Sequence, residues 1–424
     1  MNREANTIID GIDDWQEKNL VPGLDKSLTS QSCCQLFESL NYQKTQSFFK
    51  DWIKKTLKDE AVGYEVTSVS SYCKSIPEVE YGYNRVKQAL PQINIGMFCC
   101  ETKKLPLYYN RYSGSLSDKT NLSPVLAKAR EVGLDDVKVV LNGGLISQES
   151  FSSLSKLSKA FTIGLSTNLD ISKEMISSHL HDINMYPNKL PGLEIFCLQQ
   201  QTSIYGISGK LMLYFDPQNQ SQLCSELSER IEQLSAELSK LKRCPVNKLS
   251  RFSKYFEIVR HDKGNGFDFK VDNDAVNKMM ETKGFFLIFT TDMLAKPEDS
   301  LYYYRAKDAD EKFFEQLKLN MRGSRVRTYN QHTTDGKIFV AFIALVIRAY
   351  ILGKLNKYIT EDSSSLKKAM NKLENIIIVH SHGNCRFSKA LTKQQKDILT
   401  PFNAAVDIFT SLNSYQKALL NPSV

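Results

Sequence analysis

Four chemically active side chains share a stripe in the segment from Glu298 to Lys318. Tyr304, Lys307, Glu311 and Lys318 stand at offsets of 0, 3, 7 and 14 residues, which places them on one side of a helix with about 3.6 residues per turn. The segment contains no Gly or Pro, and its apolar residues recur at helical spacing, so it predicts one helix. A carboxylate is an oxygen ligand of the kind that Mg²⁺ prefers, although a solvated face of an amphipathic helix would carry the same residues.

The elements that must position this helix begin with a set of short strands. Tyr64–Val69 is rich in β-branched residues, Ile93–Cys99 alternates, and Leu105–Tyr109 follows a Lys-Lys turn. A helix is predicted around Asn121–Val132, with a stop at Gly133.

A second pattern follows the strands. Val137–Leu141 is a continuous apolar strand that ends at Asn142-Gly143-Gly144, and Ser147 is placed to cap the next helix. Strands followed by alternating helix and strand predict the α/β (α+β) class, with a mixed sheet flanked by helices.

The composition is typical of a globular protein with reduced cysteines. The 424 residues are 42% hydrophobic and 24% charged, with a net charge of +8 that hints mildly at a polyanionic partner. Nine cysteines form no C-x-x-C pair, which favours reduced thiols in a cytosol. The N-terminus is polar and acidic, unlike a signal peptide. The ten-residue apolar run Ile338–Ile347 is shorter than the ~20 residues of a bilayer span, so we predict a buried core helix and no membrane partner.

The middle of the chain predicts a strand and a long helix. Gly209–Phe215 alternates as a strand, and Ser221–Lys242 carries leucines and an isoleucine at spacings of three and four residues. We favour packing of this seam within the chain over a dimeric coiled coil.

Two basic clusters are candidate DNA contacts, because cations neutralise phosphates and aromatic rings stack on bases. The first cluster is interleaved with Phe252, Tyr255 and Phe256, and a solvated linker is its alternative reading. The clusters are Lys242, Arg243, Lys248, Arg251 and Lys254, and then Arg322, Arg325 and Arg327. The histidines have no Cys or carboxylate partner at metal-site spacing, so we interpret them as surface or packing residues.

The stripe resembles the Tyr-x-x-Arg-x-x-x-Glu-x6-Lys signature of bacterial insertion-sequence transposases, the DDE enzymes with an RNase H-like core, with Lys307 in place of the Arg. Further segments resemble the same family over about residues 25–410, although Ser115 replaces an Asn of its turn motif. They read SVSSYCKSIPEVEYGYNRVKQALPQINIG, LPLYYNRYSGSLSDKTNL, GFFLIFTTD and LENIIIVHSHGNCRFSKALTKQQKDIL.

The resemblance implies three metal ligands, at the positions of Glu65, Asn142 and Glu311. In the family, three carboxylates hold two Mg²⁺ (or Mn²⁺) ions for DNA phosphoryl transfer. Here only Glu311 keeps the family's residue, since Glu65 and Asn142 each replace an Asp, and Gly143 replaces the Arg that follows the second one. We therefore expect a DNA transposase with an impaired metal site or, alternatively, a catalytically inactive DNA-binding relic or regulator of transposition.

The resemblance also implies an organisation and a set of partners. We expect a helical N-terminal remnant (1–60), the first half of an RNase H-like core (61–170), an insertion domain with a long helix (171–283), and the second half of the core with C-terminal helices (284–424). The implied partners are double-stranded DNA at transposon ends and a second copy of the chain on that DNA. We also expect an N-terminal truncation and a bacterial cytoplasmic, nucleoid-associated location.

Overall fold

The computed structural model describes residues 12–18, 27–71, 73, 75–83, 90–241, 249–261, 266–306, 313–315, 317–318, 328, 330–355, 363–381 and 384–402. The chain forms two compact units. The first unit comprises Met1–Asp135 and Ala306–Val424, and the second comprises Asp136–Arg305.

The first unit combines an antiparallel meander with helices from both ends of the chain. Its strands are β1 (Val62–Ser70), β2 (Gln92–Cys100) and β3 (Leu105–Ser113), with a separate hairpin of β11 (Ile378–Ser381) and β12 (Asn384–Phe387). Its helices are α1 (Ile12–Lys18), α2 (Ser30–Ser39), α3 (Tyr42–Thr56), α4 (Asp118–Glu131), α11 (Gln331–Leu355), α12 (Ser363–Glu374) and α13 (Lys393–Leu399).

The three predicted strands of the meander are confirmed. β1 pairs with β2 over nine residues, from Val62 opposite Cys100 to Ser70 opposite Gln92. β2 pairs in turn with β3, and nearly every residue of β1 and β2 is buried. The predicted stop of α4 is also confirmed, because Gly133 adopts a φ of +102° that favours glycine.

Helix α11 is longer than the ten-residue apolar run predicted, because polar residues and glycines continue the helix at both ends to 25 residues. By length and composition alone it could cross a bilayer. Its contacts are those of the core helix that we predicted. Phe339 and Phe342 pack on the ring of Phe49 at centroid distances of 5.8 and 5.4 Å. A Cβ added at Gly336 would lie 2.5 Å from the Cα of Phe37 in α2, so glycine allows the two backbones to meet there.

The second unit contains a five-stranded mixed sheet and a small α/β cluster. Its strands are β4 (Lys138–Leu141), β5 (Ala160–Leu165), β6 (Phe196–Ile204), β7 (Ile207–Phe215), β8 (Phe256–Arg260), β9 (Phe267–Val271) and β10 (Phe285–Thr290). Its helices are α5 (Gln148–Leu157), α6 (Asp170–His179), α7 (Pro217–Ser239), α8 (Leu249–Phe252), α9 (Asn273–Glu281) and α10 (Pro297–Ala306).

The sheet of the second unit has the strand order β4-β5-β10-β7-β6. β4 and β5 are parallel, whereas β5-β10, β10-β7 and β7-β6 are antiparallel. The parallel pair is connected by α5, whose N-cap is Ser147, as the sequence predicted. The α/β class, with a mixed sheet flanked by helices, is therefore confirmed.

Helix α7 packs within the chain, which is the alternative that we favoured over a coiled coil. Leu227, Ile231, Leu234 and Leu238 are buried against residues of α8, α9 and the β8-β9 hairpin. These residues of α7 thus cover one side of a small core. Leu241, the last residue of the predicted seam, is exposed instead.

Candidate functional site

The first predicted ligand, Glu65, lies in β1 of the first unit. Its neighbours Tyr64 and Val66 are buried at 0% and 3% exposure, whereas Glu65 is the one partly exposed residue of the strand. Tyr64 occupies the space left by Gly96 on β2, where a Cβ would lie 2.8 Å from the tyrosine ring. This packing fixes the strand, and the alternation of side chains points Glu65 to the face opposite Tyr64.

A buried amide network connects β1 with β2, with the loop before β2 and with the turn after β3. Ser68 donates a hydrogen bond to Asn94 Oδ1 at 2.9 Å. The Asn94 amide donates to the carbonyl oxygens of Ser113 and Leu116, each at 3.2 Å. The Gln92 amide donates to the carbonyl oxygen of Tyr83 at 2.8 Å. Asn94 and Gln92 are 4% and 0% exposed, and buried amides require such partners.

The network holds the loop that contains Gly82 and Tyr83 against the turn after β3. A Cβ added at Gly82 would lie 2.7 Å from the carbonyl carbon of Gly114, so the two segments meet backbone to backbone. Glu80 accepts hydrogen bonds from the hydroxyls of Ser113 and Ser115, which lower the pKa of its carboxyl below the ordinary value. Ser115, which departs from the family's motif, therefore still anchors the turn.

Charged groups join β3 to α11. The Arg111 guanidinium forms ion pairs with Glu78 at 3.5 Å and with Asp335. Burial raises the pKa of Asp335 above its ordinary value, and this effect outweighs the opposing attraction of Arg111. One guanidinium is thus shared by two carboxylates, one on the segment before β2 and one on α11.

The second predicted ligand position, Asn142, lies in the second unit at the carboxyl end of β4. It precedes a single 3₁₀ turn, Gly143–Leu145, and its side chain does not cap that turn. A Cβ added at Gly143 would lie 2.6 Å from the carbonyl oxygen of Gly164 on β5. Any side chain with a Cβ would clash there, so the close approach of the turn after β4 to β5 depends on glycine.

Tyr304, the first residue of the signature stripe, packs beside this position. A Cβ added at Gly164 would lie 2.6 Å from Cζ of Tyr304, so the tyrosine ring covers the glycine directly. Ile163, the neighbour of Gly164, pairs with Leu141, the neighbour of Asn142. Tyr304 also packs on the core formed by Leu301, Ile288 and Met212. Within the second unit, the structure therefore brings α10 to the strand adjacent to Asn142.

An ion pair fixes the loop between β10 and α10. Lys138 at the start of β4 contacts Asp292 at 2.7 Å, and the backbone N–H of Leu294 donates to the same carboxylate at 3.1 Å. Burial alone would raise the pKa of Asp292, but Lys138 and the backbone N–H groups outweigh it and hold the pKa below its ordinary value. The carboxylate stays charged and ties α10 to the sheet.

The two described ligand positions lie in different units. Glu65 belongs to the first unit and Asn142 to the second. Glu311 and Lys307 lie outside the described residues, as does part of the single helix predicted through Lys318. Lys318 itself is helical and partly exposed in the first unit. Within the second unit, Tyr304 on α10 contacts β5, the strand that pairs with β4 just before Asn142.

The prediction that aromatic residues of the first basic cluster stack on bases is wrong for Phe252 and Phe256. They are 0% and 2% exposed because they complete the core beneath α7. Arg251 forms two hydrogen bonds with the Glu237 carboxylate, at 3.0 and 2.8 Å, so an acid already neutralises it. Lys254 is exposed. Three members of the first cluster and the whole second cluster lie outside the described residues: Lys242, Arg243 and Lys248, and then Arg322, Arg325 and Arg327.

The two described ligand positions supply little negative charge for a two-metal site. Two hard dications require several carboxylates for ligation and charge neutralisation. Of the two described ligand positions, Glu65 supplies one carboxylate and Asn142 supplies a neutral amide. Within the described ranges no group of three His, Cys, Asp or Glu side chains could hold a metal ion. The described ligand positions therefore supply less negative charge than a pair of Mg²⁺ ions requires.

Sequence reasoning missed Gly164 and the Ser68-Asn94-Gln92 network. A glycine inside the apolar strand AFTIGL signals a close approach of another group, and this signal could have located the contact of Tyr304. Gln92 and Asn94 alternate with apolar residues in a strand, which is also the pattern of solvated side chains. Their burial is not readable from that pattern.

Comparisons with known proteins give structural likenesses only. No protein-family model matches the sequence, and no curated protein matches it. The chain is similar to piggyBac transposase in a synaptic complex with hairpin DNA, with 9% identity and a TM-score of 0.35 over 100% of this chain and 80% of that chain. It is also similar to Mos1 transposase in a paired-end complex with the left transposon end, with 9% identity and a TM-score of 0.16 over 33% and 44% of the two chains. Likenesses of this strength leave the function to the chain's own residues.

Proposed function

We propose that this chain is a DDE-type DNA transposase of the insertion-sequence class whose catalytic metal site is impaired. The observation that carries the proposal is the contact of Tyr304 with Gly164. Through this contact Tyr304, the first residue of the signature stripe, packs against β5. β5 pairs with β4, and Asn142, at the second ligand position, directly follows β4.

The order of elements supports the same proposal. The antiparallel meander β1-β2-β3 is followed by α4, β4, α5 and β5, which is the order that the resemblance implies for the first half of an RNase H-like core. Glu65 lies within the first strand and Asn142 directly after the fourth. Both positions therefore occur on the elements where the family carries its first two acids.

The two substitutions impair such a site to different degrees. Glu65 keeps the negative charge but extends the carboxylate by one methylene, on the order of 1.5 Å, and a displacement of ~1 Å costs about a hundredfold in rate. Asn142 removes a full negative charge and leaves one neutral carbonyl oxygen. The loss of charge at position 142 is the larger defect, because dications depend on charge neutralisation by their ligands.

The substitution at position 142 favours a second candidate function. A DNA-binding relic or regulator of transposition needs a basic surface but no ligand triad. The net charge of +8 and the exposed Lys254 are compatible with DNA contact without catalysis. Both candidates share the same double-stranded DNA partner, and the metal site separates them.

Isothermal calorimetry with Mn²⁺ and Mg²⁺ separates the two candidates. We expect the natural chain to bind Mn²⁺ weakly, and the double substitution Glu65→Asp, Asn142→Asp to bind it more tightly. Asn168→Asp adds a carboxylate at an exposed loop position and serves as the control for non-specific binding, with no heat of binding expected.

Weak binding by the natural chain that the double substitution strengthens supports an impaired transposase site. Binding by the double substitution alone shows a site disabled by substitution and favours the catalytically inactive relic or regulator. Binding of two ions by the natural chain would show that Glu65 and Asn142 are competent ligands and that the site is intact. If the double substitution binds no more Mn²⁺ than Asn168→Asp, the ligand positions are wrong and the transposase proposal fails.

A further inference from the structure

Strand β6 forms one edge of the sheet in the second unit. Its nine residues, Phe196–Ile204, pair with β7 in one unbroken register. On its outer side, the described part of the chain shows a single bridge, between Lys189 and Phe196. Beyond that bridge the outer edge runs from Leu198 to Ile204, and Gln199, Gln200 and Gln201 are exposed.

This edge lacks the features that keep sheet edges apart. Natural edge strands are blocked by charged side chains, proline, bulges or short length, because their unpaired N–H and C=O groups template another strand. The segment from Phe196 to Ile204 contains no Lys, Arg, Asp, Glu, Pro or Gly, and its register with β7 has no bulge.

The outer edge is complementary to a second copy of itself. Antiparallel pairing about a two-fold axis at Gln201 would set apolar residues opposite apolar residues and uncharged polar residues opposite one another. The opposed pairs are Leu198 with Ile204, Gln199 with Ser203, Gln200 with Thr202, and Gln201 with Gln201. Such cross-strand pairs stabilise sheets, and a glutamine amide both donates and accepts.

We propose that the β6 edge is a self-association surface, through which two copies of this chain join their sheets antiparallel across a two-fold axis at Gln201. Two seven-residue edges exchange roughly six to eight backbone hydrogen bonds. The pairing involves a symmetric, isologous surface, as closed dimers require. The area is smaller than a standard interface of ~1,600 Å², so the dimer is weak and depends on concentration. The proposal does not depend on DNA binding or on a metal site.

Sedimentation velocity of the full chain without DNA tests this proposal, from about 1 to 100 μM, in the range of weak interfaces. We expect the natural chain to shift from monomer to dimer with concentration. Gln201→Lys places two cations opposite each other at the axis and should abolish the shift. Gln201→Thr keeps a neutral residue that favours β-structure and should retain it. Gln233→Lys adds the same charge on the exposed face of α7 and should also retain it.

A cross-link locates the axis. Gln201→Cys should form a 201–201 disulfide under mild oxidation, because opposed residues in an antiparallel pair have Cα atoms about 4.5–5.5 Å apart. Peptide mapping identifies this disulfide among the native cysteines.

Three results would overturn the inference. They are a natural chain that stays monomeric at 100 μM, a Gln201→Lys chain that still dimerises, and dimers in which Gln201→Cys forms no 201–201 disulfide. Circular dichroism verifies that each substituted chain is folded. Capture of an extended peptide by a monomeric chain would assign the edge to a different partner and also contradict self-association.

Discussion

Replacement of Gly164 by alanine tests the contact on which the proposed function depends. A Cβ at this position would lie 2.6 Å from Cζ of Tyr304, much closer than van der Waals contact. Either the tyrosine ring or α10 must move. Overpacking of this kind costs about 1–3 kcal/mol.

The effect of Gly164→Ala on the free energy of unfolding should change sign when Tyr304 is replaced by alanine. Alanine is more favourable than glycine inside a strand by roughly 0.5–1 kcal/mol. In a Tyr304→Ala background the added methyl meets no ring, so Gly164→Ala should stabilise by that amount. The difference between the two backgrounds is a coupling free energy of about 1.5–4 kcal/mol, as expected for residues in direct contact.

Hydrogen exchange measured by mass spectrometry on the full chain gives this coupling free energy for individual strands. Peptides that cover β5 and β10 report the free energy of opening of those strands. We expect Gly164→Ala to speed exchange there by about 5- to 150-fold in the natural background, since 1.4 kcal/mol is a factor of ten. We expect it to slow exchange in the Tyr304→Ala background.

Gly144→Ala is the matched control. Nothing lies within 4 Å of a Cβ at Gly144, so this substitution should leave exchange in β5 and β10 nearly unchanged. An equal effect of Gly164→Ala in both Tyr304 backgrounds would refute the contact. The signature stripe would then have no established place beside Asn142.

Two further predictions concern other parts of the second unit. Phe252→Ala should destabilise the core beneath α7 by about 3–5 kcal/mol, seen as faster exchange in α7, while affinity for duplex DNA stays unchanged; a selective loss of DNA affinity would restore the base-stacking role. Because the pKa of Asp292 is lowered in the folded chain, its contribution to stability is present above the unfolded pKa of ~3.9 and is lost as pH falls through the folded value. Protection of the loop after β10 should therefore weaken below about pH 4, and Asp292→Asn should remove that dependence; equal acid sensitivity in both chains would contradict the ion-pair assignment.

The periodic elements of the fold were predictable because each carries a local signal. β1, β2, β3 and α4 follow β-branched runs, alternation and a glycine stop, and the structure confirms them. β6 was not predicted, because its central run of glutamine, threonine and serine has no apolar alternation. It becomes a strand through pairing with β7, which is a tertiary effect.

The contacts of the candidate site were not predictable from the sequence. The stripe spacing drew attention to Tyr304, and the family resemblance drew attention to Asn142, so both residues remain predictions as site residues. The contact between Tyr304 and Gly164 depends on how α10 crosses β5, which no local pattern encodes. Phe252 shows the converse error, since aromatic residues among cations have the same sequence pattern whether they bind bases or fill a core.

The packing around Asn142 does not depend on a carboxylate. Gly143 fits against the carbonyl oxygen of Gly164, and Tyr304 covers Gly164 from the other element; none of these contacts involves charge. Because these contacts are made by glycine backbone and a tyrosine ring, we expect Asn142→Asp to leave α10 and β5 in place. Hydrogen exchange in the peptides that cover β5 and β10 should therefore be the same in the Asn142→Asp chain and in the natural chain.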